Sequence, residues 1–351
     1  MMKIAIIGPG IMDIPPKGWG AVEVLIEDYR AELTRLGHTV LVVNVPNRAG
    51  IVLTVNNWQP DFVHCQYDEF IDVLDKLDCP RRAITSHFGY IDQIWRFPHH
   101  RETIHRKIVA DNKTLIFALS ASIADVYVSD GVDPGRIRII PNGVNVAAFR
   151  WTAAPTLPDR SIYLAKVDFR KRQGVFQDYG LGVDFVGNLI PEPHHRPGFD
   201  PSRADYLGEW TREKVFSHLT DYANLLLLSD GEAHPLVCLE AMAAGLGLVL
   251  SEFAAANLDL TKSFIDIIPE RSIRDRELVR RIVSENRKKS IVQRREIADY
   301  AKEFDWAKTV KKYETELLRI CSAEVAVSSV GNAVKRPKNI AIITIATGVR
   351  P

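Results

Sequence analysis

Two glutamates carry the clearest chemical signal in the chain. Glu232 lies in a loop after the apolar run NLLLLS, and Glu240 lies inside LVCLEAMAA, a helix-like segment apolar nearly all round. A helix without a polar face belongs in a core, and a carboxylate there is costly unless something pairs with it. Carboxylates accept two hydrogen bonds well, and a sugar or ribose diol offers two adjacent hydroxyls at that geometry. A buried arginine capping Glu240 is the structural alternative. Pro235 suits the first residue of this helix and Gly245 its end. A second cluster follows SIYLA, where Lys166, Arg170, Lys171 and Arg172 share one loop. Cations at the carboxyl end of a strand suit a departing diphosphate, whose charge grows in the transition state. A third feature is Gly18 and Gly20, just before a helix whose first N–H groups could face an anion.

The totals bound the setting for this chemistry. The 351 residues suggest two globular domains, and 46% hydrophobic with 25% charged residues is ordinary for a soluble protein. A formal net charge of +1 argues against nucleic acid as a partner, and the local basic runs read as solvated faces. Cys65, Cys79, Cys238 and Cys321 show no zinc spacing; Cys65 and Cys238 sit in apolar surroundings as core residues. The N-terminal MMKIAIIGPG reads as a first strand rather than a leader, and no run reaches the ~20 apolar residues of a membrane span. The expected location is cytoplasmic.

Short apolar runs alternate with helical stretches, the pattern of parallel strands with crossover helices. KIAIIG, TVLVVNV, DFVHCQ, RAITSHF, TLIFALS and RIRIIPNG are the strands of a first unit. SIYLAKV, VDFVGNL, ADYLGEW, NLLLLS and GLVLSEF are those of a second. Trp306, Val310, Tyr313, Leu317 and Ile320 form one apolar stripe on a later helix. The expected division is an N-terminal domain over 1–145, a connection over 146–160, a second domain over 161–304, and a closing helix over 305–321. Residues 322–351 read as a linker and a strand-like tail, KNIAIITIATG, which could open a further domain. The expected fold class is α/β, with two doubly wound Rossmann-like domains facing a cleft. An NAD fingerprint is disfavoured, because Asp13 stands where its third glycine would be and Asn44 offers no ribose carboxylate.

Seven stretches together resemble the retaining GT-B glycosyltransferases of the glycosyltransferase 4 type. EAHPLVCLEAMAAGLGLV is similar to that family's E-x7-E motif, with seven residues between Glu232 and Glu240. PPKGWGAVE, LGHTVLVV, SHFG, RIRIIPNGVNVAAF and LAKVDFRKR follow the family's order, and EFDWAKTVKKYETEL resembles its closing helix. The resemblance covers about residues 3–320. It implies a GT-B fold, a nucleotide-sugar donor, and sugar transfer with retention at the anomeric carbon. It further implies that Glu240 holds the ribose and that Glu232 contacts the donor sugar. Lys166 and Lys171 would neutralise the diphosphate, helped by backbone N–H groups at Leu236, Val237 and Gly20, while His87 lies beside the transferred sugar.

The departures are specific. Ala21 and Ala165 replace glycines, Pro235 removes one N–H from the phosphate end of its helix, and Asn145 replaces an aspartate. Between Lys171 and Glu232 the chain is short for the family's helices. No two aspartates are spaced D-x-D, so catalysis without a metal or other cofactor is expected. The histidine pairs His99–His100 and His194–His195 read as surface loops. The acceptor would be a glycan, a lipid-linked sugar or a small molecule, met by N-terminal loops, where Trp95 and Phe97 could stack on a sugar, touch a membrane surface peripherally or pack into the core. The rival reading is a catalytically weak GT-B-like binding module within a longer multidomain protein.

Overall fold

The computed structural model describes residues 1–333. Six parallel strands make the first sheet: β1 (Lys3–Ile7), β2 (Thr39–Val43), β3 (Phe62–Cys65), β4 (Arg82–Ile84), β5 (Leu115–Ala118) and β6 (Ile137–Ile139). Their order is β2-β1-β3-β4-β5-β6. Ile7 of β1 is in register with Val43 on one side and Cys65 on the other. Being covered on both faces, β1 and β3 are nearly uniformly buried, which is why they read as unbroken apolar runs.

The second sheet holds five parallel strands: β7 (Leu157–Leu164), β8 (Val183–Val186), β9 (Tyr222–Leu227), β10 (Gly247–Ser251) and β11 (Ile265–Ile268), ordered β11-β10-β9-β7-β8. Two expectations are corrected here. ADYLGEW forms no strand; it meets the sheet through a single bridge between Phe185 and Tyr206, with Gly187 N donating to Gly208 O and Arg160 pairing with Asp205. β11 was not expected, because Asp266 interrupts its apolar run; Lys289 and Asn286 pair with that carboxylate. β7 also begins inside the stretch read as connection. Pro158 is tolerated at its exposed start, before the register shift between Leu157 and Ser161.

Helix starts follow side-chain caps: Asn47 for Arg48–Trp58, Ser120 for Ala121–Ser129, Thr211 for Arg212–His218 and Asp275 for the 26-residue helix Arg276–Ala301. In the span between Lys171 and Glu232 the helices are short: Gln173–Phe176 is a single turn. The chain then returns to the first domain. Val144 and Asp305 form a parallel bridge, with Val144 N donating to Phe304 O (2.9 Å) and Trp306 N to Val144 O (3.0 Å). Trp306, Val310, Tyr313 and Leu317 then bury their stripe against Leu25, Ile26, Tyr29 and Leu33 of helix Ala21–Arg35. This last helix runs from Trp306 to Ala333, so residues 322–333, read as linker, have helical backbone. The strand-like tail lies outside the described residues.

Candidate active site

The carboxyl ends of β1, β4, β7 and β9 bring their loops to one cleft. Tyr163, on β7, ties two of these loops together. Its hydroxyl donates to Lys171 O (2.5 Å) and accepts from Leu228 N (2.8 Å), just past β9. Asp168 accepts from Lys171 N at 2.9 Å and tightens the turn. The result aims two cations at one carboxylate. Lys171 Nζ bonds Glu232 Oε1, and Arg170 Nη1 lies 3.0 Å from Glu232 Oε2 while donating to Gly231 O. Burial would raise the Glu232 carboxyl, but Lys171 and Arg170 reverse this and hold it below its ordinary pKa. Burial also lowers the Lys171 ammonium, and Glu232 opposes that shift. The unit carries two positive charges and one negative.

The answer for Glu240 is an arginine. Arg212 Nη1 meets Glu240 Oε1 at 2.7 Å, and Glu240 is 7% exposed. Thr211 caps the helix that Arg212 begins, which fixes the direction of approach. Glu240 Oε2 has no hydrogen-bond partner among the described residues. Asp28, on helix Ala21–Arg35, sits in the same cluster. Burial pushes its pKa to about 7, with Trp306 and Arg212 opposing and Glu240 adding to the rise.

The remaining expected residues divide into two groups. Lys166 is separate from Lys171. Its ammonium lies 4.8 Å from the centre of the Trp19 ring, and it lines an open cavity of about 490 Å³ with Asp168, Asn188 and His195. Gly18 and Gly20 flank Trp19, whose N–H donates to Glu209 Oε1 at 2.8 Å. Gly20 has φ +134°, and a side chain on it would strike Met12. Asn44 pins this loop by accepting from Gly10 N and donating to Met12 O. Leu236 and Val237 open helix Leu236–Ala243, so their N–H groups have no intrahelical acceptor. His87 donates Nε2–H to Gln66 Oε1 at 2.9 Å, and close packing lowers its pKa to about 4.

Contacts across the cleft hold the domains together. Asp230 accepts from Tyr90 Oη (2.5 Å) and Arg96 Nη2 (2.9 Å), and its carbonyl accepts from Gln93 (3.1 Å). A side chain at Gly231 would strike the Tyr90 ring. His100 is no free loop residue: it stacks on Phe88 with centroids 3.7 Å apart and lies 3.3 Å from Asp68. Sequence reasoning named Arg170 among the cations of its loop but not as a partner of Glu232, and it missed Arg212 and His234 as site residues. Arg170 was visible only as part of a basic run. Arg212 is an ordinary exposed-type residue at a helix start, far from Glu240 in sequence. His234 stood within the quoted motif, without a signal of its own.

Comparison with known proteins agrees with the fold. Residues 44–148 match the model for Glycosyltransferase Family 4. No curated protein sequence is matched. Sucrose-phosphate synthase from Thermosynechococcus elongatus superposes with a TM-score of 0.73 at 14% identity, over 92% of this chain and 100% of that one. HepE of Anabaena, solved with UDP-glucose, gives 0.71 at 16%, over 91% and 100%. WaaG, a glycosyltransferase involved in lipopolysaccharide biosynthesis, gives 0.63 at 13%, over 88% and 98%. The chain therefore has the GT-B architecture, and its residues 44–148 are similar to the family 4 glycosyltransferases.

Proposed function

We propose that this protein transfers a sugar from a nucleotide-sugar donor to an acceptor, with retention of anomeric configuration and without an essential metal. The observation that carries this reading is Glu232, held ionised by Lys171 and Arg170, followed at the E-x7-E spacing by a second buried carboxylate with one open oxygen. In this reading Glu240 accepts from the ribose through Oε2. The surplus positive charge of the Lys171–Arg170–Glu232 unit, with Lys166, stabilises the diphosphate as it leaves. N–H groups at Leu236, Val237 and Gly20 add dipoles to the same end. Glu209 is the internal carboxylate that a donor phosphate would displace from Trp19 N.

Among the described residues, no three His, Cys, Asp or Glu side chains gather as metal ligands. In this reading the cationic side chains are the counter-charge. The acceptor side falls to the N-terminal domain; no helix of the described residues is long and apolar enough to cross a membrane. The test is a transfer assay with UDP-, GDP- and ADP-sugars, with the anomeric product read by NMR. Inverted product would overturn the retaining assignment. Dependence on added metal would overturn the metal-independent one. A second reading, a binding module without turnover, draws on the single-turn helix Gln173–Phe176 and the internal partners already on Glu240 and Trp19. Turnover of any donor removes it.

A further inference from the structure

The Gly18–Gly20 loop of the first domain is met by a side chain of the second. Trp19 N–H donates to Glu209 Oε1 at 2.8 Å, and Asn188 Nδ2 donates to Glu209 Oε2 at 3.1 Å. Each carboxylate oxygen thus holds one donor, one from either side of the cleft. The Lys166 ammonium stands 4.8 Å from the centre of the Trp19 ring. Gly18 is shaped around the same partner: a Cβ there would strike the carboxylate, and its three nearest neighbours would all be atoms of the Glu209 side chain. Two N–H donors, a nearby ammonium and a stretch of bare backbone make an anion site. The protein's own carboxylate fills it.

Glu209 reaches this place from a fixed base. On one side, Tyr206 bridges to Phe185 and Leu207 N donates to Phe185 O at 2.9 Å. On the other, Trp210 is buried, edge-on to His218 and tilted against Tyr222, with Lys214 Nζ 4.7 Å from its ring. Arg212 follows, pairing with Glu240 at 2.7 Å. The backbone at Glu209 is therefore held while its side chain is exposed. Exposed charged contacts are weak against water, so this arm gives way easily to a better anion. A phosphate group is one, since it offers the same acceptor oxygens with charge of its own.

We propose that Glu209 is a built-in competitor for the phosphate site of the donor. It latches the Trp19 loop to the second domain, yields to the diphosphate of the arriving donor, and competes with the diphosphate again after transfer. A latch of this kind lowers apparent affinity by the fraction of time it leaves the site open. It acts on donor and spent nucleotide alike, so it favours release of the product over tight binding of the donor. The uncharged nucleoside portion has no part in the competition, because it brings no anion to Trp19 N. This inference rests on the donor reading above.

Two substitutions separate reach from charge. Glu209→Ala removes both, whereas Glu209→Asp keeps the charge on a side chain one methylene shorter. Calorimetry on wild type and Glu209→Ala with UDP, GDP and ADP first finds the diphosphate that binds. Both variants should then hold it about three- to fivefold more tightly than wild type, the worth of one exposed competing hydrogen bond. The matching nucleoside should bind all three proteins alike. Weaker or unchanged diphosphate binding by Glu209→Ala overturns the latch while the donor reading stands. Tightening in Glu209→Ala but not in Glu209→Asp would make Glu209 a distant charge, and tightening of the nucleoside would make it part of the base site; either overturns the competition. Binding by Glu209→Ala alone supports the latch. Failure of wild type and Glu209→Ala to bind any of the three overturns the donor reading and the latch with it.

Discussion

Glu232 and Glu240 are both buried carboxylates in one motif, yet their surroundings differ in kind. Glu232 is met by two cations from a single loop, and that loop is braced by Tyr163 and Asp168. Glu240 is met by one arginine from a distant helix, with one carboxylate oxygen open and Asp28 of the other domain nearby. The first site is over-determined and keeps its charge whatever binds. The second is a poised acceptor whose fields come from both domains. Identical residue types in one motif therefore divide into a carboxylate held by two cations and one held by a single cation.

Glu232→Gln is the substitution with the largest expected effect. It strands Lys171 in a buried place, and breaking one side of a buried pair costs about 3–5 kcal/mol. Denaturant unfolding should show this, and transfer should fall by about 100-fold or more as the charge arrangement is lost. Survival of stability would show that Lys171 swings to another partner, removing the contrast. Glu240→Ala should act the other way round. Stability should fall by only about 1 kcal/mol, because Arg212 reaches solvent, while nucleotide affinity falls about tenfold or more. Calorimetry with the nucleoside diphosphate decides this, and unchanged affinity would reduce Glu240 to a structural ion-pair partner.

Asp28→Asn probes the field shared by the two domains. The folded pKa of about 7 lies above the ordinary 3.8, so the native state holds its proton more tightly. That contribution is complete below about pH 3.8 and is lost as pH rises through about 7. Asp28→Asn should therefore melt higher than wild type at pH 8, by roughly 2–4 °C per kcal/mol, and converge with it near pH 4. A constant offset at all pH values would mean that Asp28 titrates normally. The smallest effect is expected from Tyr90→Phe. Asp230 keeps Arg96 and Arg172 at 2.9 and 3.5 Å, so donor affinity should change by less than about threefold. A larger change would make the Tyr90–Asp230 contact the controlling closure.

Much of this was legible because it is local. Buried parallel strands leave unbroken apolar runs, and the E-x7-E helix shows its oddity as a carboxylate among Leu, Cys, Ala and Met. What escaped was written at long range or concealed by pairing. Arg212 carries no mark of its partner, since Glu240 lies on a different helix far along the chain. β11 hid behind Asp266, whose charge is offset by Lys289 and Asn286 on a later helix. ADYLGEW has strand composition, but Phe185 takes a single bridge with Tyr206 and no ladder follows. His234 reads as one polar residue among apolar ones, and only Asn142, whose backbone N–H donates to its Nδ1 from the far side of the cleft, reveals which ring nitrogen holds the proton.

The paired crossing at Val144 and Asp305 has a temporal side. The first domain is the outer part of the chain and the second is set inside it, so one face of helix Ala21–Arg35 waits for Trp306, Val310, Tyr313 and Leu317. During synthesis at about 5–20 residues per second, Tyr29 and Leu33 stay uncovered for roughly 15–60 seconds after they are made. The inner domain, by contrast, can bury its own core before the outer one closes. A newborn chain is thus a finished inner half carrying an unfinished outer half, and its interval of greatest aggregation risk ends only when the final helix docks.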